Sequence, residues 1–161
     1  MNPKRNPSAK KNNARTPLKE EDKRALALLL KRLRLRDAFE AELRHYAHTK
    51  NCPPNAIDSA LDVLKTKKLI NDFRLACHLA EAWTEKKLWA PARIAQELKA
   101  RGASDEAVAT ALSLLPEESL TAKKLLKKLK GIPLASIARR LAQYGYSEEC
   151  IQDILNPFLN E

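Results

Sequence analysis

The segment Ala92 to Leu112 reads ARIAQELKARGASDEAVATAL, and the segment Ala135 to Leu155, 43 residues further on, reads ASIARRLAQYGYSEECIQDIL. Laid over one another without a gap, they agree at Ala92/Ala135, Ile94/Ile137, Ala95/Ala138, Leu98/Leu141, Gly102/Gly145, Ser104/Ser147, Glu106/Glu149 and Leu112/Leu155. A chain that repeats itself at a fixed period builds units that stack, because each copy is too short to close a core alone.

The repeated stretch has a physical grammar. Ile94, Ala95 and Leu98 form one apolar stripe of an amphipathic helix, with Arg93, Gln96, Glu97 and Lys99 toward water. Gly102 ends that helix in a left-handed conformation, and Gly145 does the same in the second copy. Ser104 caps the next helix, with Asp105 and Glu106 in its first turn, where carboxylates suit the helix dipole. Val108, Ala111 and Leu112 supply the buried side. The second copy answers with Ser147, Glu148, Glu149, Ile151, Ile154 and Leu155.

Each copy follows a further helix. One runs from Asn71 or Asp72 to about Lys86, with Phe73, Ala76, Cys77, Ala80 and Trp83 at helical spacing; the other runs from Glu117 to Lys130. Upstream, helices are expected at Glu20 to Arg34, around Ala38 to Ala47 and around Asn55 to Lys65. Leu43 and Ile57 would match Leu98 and Val108 if the turn HTKNCPP were four residues longer than its counterpart. The expected fold is all-α, an elongated tandem array of three three-helix repeats at 20–70, 71–116 and 117–161, behind a disordered basic tail at 1–19. Composition agrees: three glycines, 5% aromatic residues and an abundance of Leu, Ala, Lys and Glu suit helices, and 44% apolar residues can fill a core.

Several function classes drop out. No apolar run nears the roughly 18 residues of a membrane span, and the basic start lacks the apolar segment of a secretory signal, so a cytoplasmic protein is expected. Cys52, Cys77 and Cys150 are odd in number and far apart, which suits reduced, buried thiols. His45, His48 and Cys52 lack a fourth metal ligand and any zinc spacing. With no phosphate loop, metalloprotease helix or nucleophile elbow, neither an enzyme nor a cofactor or metal is expected.

Charge carries more. The net charge is +10; Lys4, Arg5, Lys10, Lys11, Arg15 and Lys19 precede the first acidic residue, Glu20. In LTAKKLLKKLKG, the stripe Ala122, Leu125, Leu126 and Leu129 leaves Lys123, Lys124, Lys127, Lys128 and Lys130 on the opposite side with no acid among them. Faces that serve only solubility usually mix Glu with Lys at i, i+4 spacing. Arg32, Arg34 and Arg36, then Lys65, Lys67 and Lys68, then Arg139 and Arg140 add smaller clusters. Such groups suit phosphate contacts, which position a protein without reading sequence.

The stretch LDVLKTKKLINDFRLACHLAEAW, followed by KKLWAPARIAQELKARGASDEAVATAL, resembles the central part of the RecX family, regulators of the RecA recombinase. The matching features are Asn71-Asp72 ahead of a long helix, an aromatic-x-Pro entry at Trp89-Ala90-Pro91, and the pattern Ile94, Glu97, Leu98, Gly102. The Lys-rich helix and Arg140-Leu141 leading to Gly145-Tyr146-Ser147 look like that family's last repeat, so the likeness covers about Leu26 to Leu155. Glycines that commonly flank the family's aromatic are Leu88 and Ala90 here, and Phe39 replaces a small polar residue of the first repeat. The resemblance implies a monomer that lodges in the groove of a RecA filament on single-stranded DNA and restrains its recombinase activity. A helical adaptor for a protein partner alone, or an independent non-specific DNA-binding protein, are the alternatives that the residues leave open.

Overall fold

The computed structural model describes residues 17–160; the basic run from Lys4 to Arg15, and with it most of the expected tail, lies outside them. Nine helices and no strand occur among the described residues: α1 Glu20–Leu33, α2 Glu40–Thr49, α3 Pro54–Thr66, α4 Asp72–Lys87, α5 Pro91–Ala100, α6 Asp105–Ser113, α7 Glu118–Lys128, α8 Leu134–Gln143 and α9 Glu148–Leu159. Packing groups them in threes, with α1 on α3, α4 on α6 and α7 on α9; α2 and α5 each pack on both neighbours in chain order, and α8 packs on α9.

The caps follow the sequence grammar. Asn71, Ser104 and Ser147 each accept the backbone N–H three residues on, at 3.0, 3.2 and 3.2 Å. Gly102 and Gly145 have φ of 95° and 89°. Behind each glycine two crossed hydrogen bonds close the helix end: Ala103 N–H donates to the Leu98 carbonyl and Gly102 N–H to that of Lys99, and Tyr146 and Gly145 donate to Leu141 and Ala142. This double closure satisfies carbonyls that the helix end would otherwise leave bare.

The first unit has the same turn, and this corrects its alignment. Cys52 N–H donates to the Ala47 carbonyl and Asn51 N–H to that of His48, with Asn51 itself at φ 58°. Asn51 therefore stands where Gly102 stands, Ala47 matches Leu98, and Leu43 matches Ile94. No four-residue insertion exists; Asn replaces Gly as the left-handed residue, and Pro53 and Pro54 open α3 without a side-chain cap. A second correction concerns α4. Phe73 is 46% exposed, and the buried face is Leu75, Ala76, Ala80 and Thr84, flanked by half-buried Cys77, Leu79 and Trp83.

Each unit surrounds its own core, yet two of the cores borrow. Phe39, the residue just before α2, is fully buried in the core of the second unit, among Leu75, Ile94 and Leu98. Leu88 and Ala90, just before α5, enter the core of the third unit with Leu125, Leu141 and Tyr146. Phe39 and Ala90 occupy equivalent positions, so the joint is built the same way twice.

A lysine face and two joints

The five lysines near the end of α7 are all exposed, and Ala122, Leu125 and Leu129 are the buried side of that segment, with Leu126 half-buried. None of the five, nor Arg139 or Arg140 exposed on α8, forms an ion pair among the described residues. Their surroundings differ. Lys124 borders a cleft of about 310 Å³ between α4 and α7 that also carries Glu81 and Glu85. Lys127 and Lys130 rim an apolar depression with Ile132 and Phe158, whereas Lys123 borders a recess with Glu117, Glu118 and Asp153.

The candidate cations of the first unit are less free. Arg36 lies 3.3 Å from Glu42, and Lys65 lies 3.3 Å from Glu40. Arg32 sits over the Tyr46 ring at 5.7 Å. Arg34, Lys67 and Lys68 are exposed, the last at φ 56° in the turn that ends α3.

The joint between the first two units rests on Glu42. Its carboxylate accepts from Arg101 Nε at 3.0 Å and Nη2 at 3.1 Å, and from the Phe39 N–H at 2.9 Å. Burial pushes the Glu42 pKa up, but the hydrogen bonds from Arg101 and Phe39 and the charges of Arg101 and Arg36 outweigh it and hold the carboxyl below its ordinary range. Arg101 also lies over the Phe39 ring at 5.4 Å. The second joint has no ion pair across it among the described residues. Ala90 N–H donates to the Tyr144 carbonyl at 2.9 Å, and the buried Tyr146 hydroxyl donates to the Leu88 carbonyl at 2.7 Å. Burial, above all, raises the Tyr146 phenol well beyond its usual value.

Sequence reading leaves the role of Trp89 open and passes over the cluster to which it belongs. Trp83 and Trp89 meet at 5.5 Å between ring centres, with Lys87 and Arg93 over their faces. The signal available to find it is the pair of tryptophans bracketing a lysine pair at a helix end. His45, His48 and His78 are exposed, and no group of three metal-binding side chains occurs among the described residues.

Residues 71–112 match the family model described as RecX, second three-helix domain. The fold is similar to the crystal structure of RecX from Lactobacillus salivarius, with a TM-score of 0.73 and 20% identity, covering 87% of this chain and 97% of that one. A crystal structure of regulatory protein RecX gives a TM-score of 0.72 and 21% identity, over 88% of this chain and 79% of that one. No curated protein matches the sequence. The middle unit thus matches the RecX model, and the whole helical array has a fold like that of RecX crystal structures.

Proposed function

We propose that this protein regulates the RecA recombinase by binding the filament that RecA forms on single-stranded DNA, and that it restrains the filament's recombinase and ATPase activity. The match of the middle unit to the RecX model supports RecA as the partner. The observation that carries the mode of binding is the lysine face of α7: cations exposed together and without an ion pair among the described residues. A folded chain that keeps such charges unneutralised bears their mutual repulsion and leaves them available for phosphates or carboxylates of a partner. Stacked units favour a long contact over a pocket, which suits a filament groove.

The test compares sedimentation with RecA filaments on single-stranded DNA, with naked DNA and with free RecA. Preference for the filament is expected, together with slower strand exchange. Equal affinity for naked DNA would replace this reading with that of an independent DNA-binding protein; binding to free RecA alone, insensitive to salt, would replace it with a protein adaptor.

A further inference from the structure

Both tryptophans of the chain stand at the joint between the second and third units, with their ring planes 55° apart. The linker that holds Trp89 alternates. Leu88 and Ala90, 5% and 0% exposed, point into the core of the third unit, whereas Trp89 between them is only half-buried. Leu88 takes a left-handed backbone, φ 56°, which is unfavourable for a bulky side chain. That reversal brings the Trp89 N–H to 3.4 Å from the Trp83 carbonyl and its ring back against α4. Strained backbone therefore places the larger side chain at the surface and the smaller ones inside.

The cations complete the arrangement. Lys87 Nζ lies 4.1 Å from the centre of the Trp89 ring and 5.6 Å from that of Trp83, and it pairs with no carboxylate among the described residues. The Arg93 guanidinium lies 4.9 Å from the Trp89 ring, braced by Glu97 at 3.1 Å and by the Gln143 carbonyl at 3.4 Å; its buried Nε has no partner. Half-exposed indoles beside a cation are the elements with which proteins hold single strands: the ring takes a base face and the ammonium a phosphate. A partner helix would ask for a row of aliphatic anchors instead, and the residues beside this corner at the end of α4 are the exposed Lys86 and Lys87.

We infer that the Trp83–Trp89 corner, with Lys87 and Arg93, is a stacking site for an unpaired base of single-stranded nucleic acid. The inference rests on the reading above that a strand lies against this array, and adds a base contact to the phosphate contacts of α7.

Two strands test it: oligothymidylate, and an abasic strand with the same number of phosphates. Oligothymidylate should quench tryptophan emission and bind about tenfold more tightly than the abasic strand, which should leave emission unchanged. Trp89→Ala, with an unaltered circular-dichroism spectrum, should lose most of that preference. If Trp89→Ala does not fold, Trp89→Phe replaces it, and its smaller ring should give an intermediate preference; an unchanged preference in the folded variant overturns the inference. Equal affinity of the parent protein for the two strands overturns the stacking site and leaves the phosphate reading standing. Binding to neither strand at low salt removes both. Emission that answers to RecA but not to oligothymidylate gives the corner to a protein partner and also overturns the inference.

Discussion

The Cβ that Gly145 lacks would stand 2.6 Å from the backbone nitrogen of Arg93, in the neighbouring unit. The equivalent glycine of the second unit, Gly102, is as close to the first, 2.7 Å from the Ala41 side chain. These glycines supply a left-handed turn and also admit the next backbone. A Cβ on Gly131, at φ 82°, would meet nothing within 4 Å, so this glycine supplies the turn alone. Gly145→Ala should therefore destabilise by about 3 kcal/mol, against about 1 kcal/mol for Gly131→Ala, measured by urea unfolding. Equal destabilisation would mean that the approach to Arg93 relaxes freely.

Acid should loosen the first joint. Because Glu42 has a folded pKa below its ordinary value of 4.5, its contribution is complete above about pH 4.5 and disappears as the pH falls through the lowered value. Arg101→Ala should destabilise the protein at pH 7 by about 2 kcal/mol, since it leaves a mostly buried carboxylate without its bidentate donor. The same variant should lose part of its stability slope below pH 4.5, as followed by denaturation at a series of pH values.

Thiol chemistry should sort the cysteines. Cys52 and Cys150 are 8% and 7% exposed, and Cys77 is half-buried. Burial, followed by the nearby carboxylates of Glu118, Asp153 and Glu117, pushes the Cys150 thiol up to about 11. Alkylation at pH 8, read by mass spectrometry, should mark Cys77 first and Cys150 only on unfolding. Stability should also fall between pH 9 and 11, where the unfolded chain ionises this thiol and the folded one does not.

Replacing Lys123, Lys124, Lys127 and Lys128 with Gln should preserve the helix, since Gln is nearly as good a helix former as Lys. Filament affinity should drop and depend less on salt. The slope of log affinity against log salt should become shallower by about 0.7 for each phosphate of a single strand that a lysine no longer neutralises. An unchanged slope would place the phosphate-binding surface elsewhere than α7.

Glycine and serine announce themselves, and the second and third units were legible for that reason: a left-handed residue and a cap fix both ends of a turn. The first unit hides the same turn behind Asn51 and Pro53, so its register could not be read from glycine and serine positions. Helical spacing groups Phe73 with Ala76 and Ala80, but spacing alone does not say which of two adjacent stripes faces inward. The joints left no periodic trace. That Phe39 fills a neighbour's core, or that Arg101 crosses to Glu42, depends on how units meet and not on any pattern within one. At the candidate site, the unmixed lysines of α7 were visible as a charge pattern, whereas the tryptophan corner is assembled by the backbone reversal at Leu88.

The borrowing of core residues runs one way along the chain. The first unit's core draws on no residue from a later unit; the second needs Phe39 from the first; the third needs Leu88 and Ala90 from the second. A ribosome releases the units in that same order. Each newly made unit would thus find its missing piece already in place upstream, and truncation from the end of the chain should leave folded remnants where truncation from the start should not.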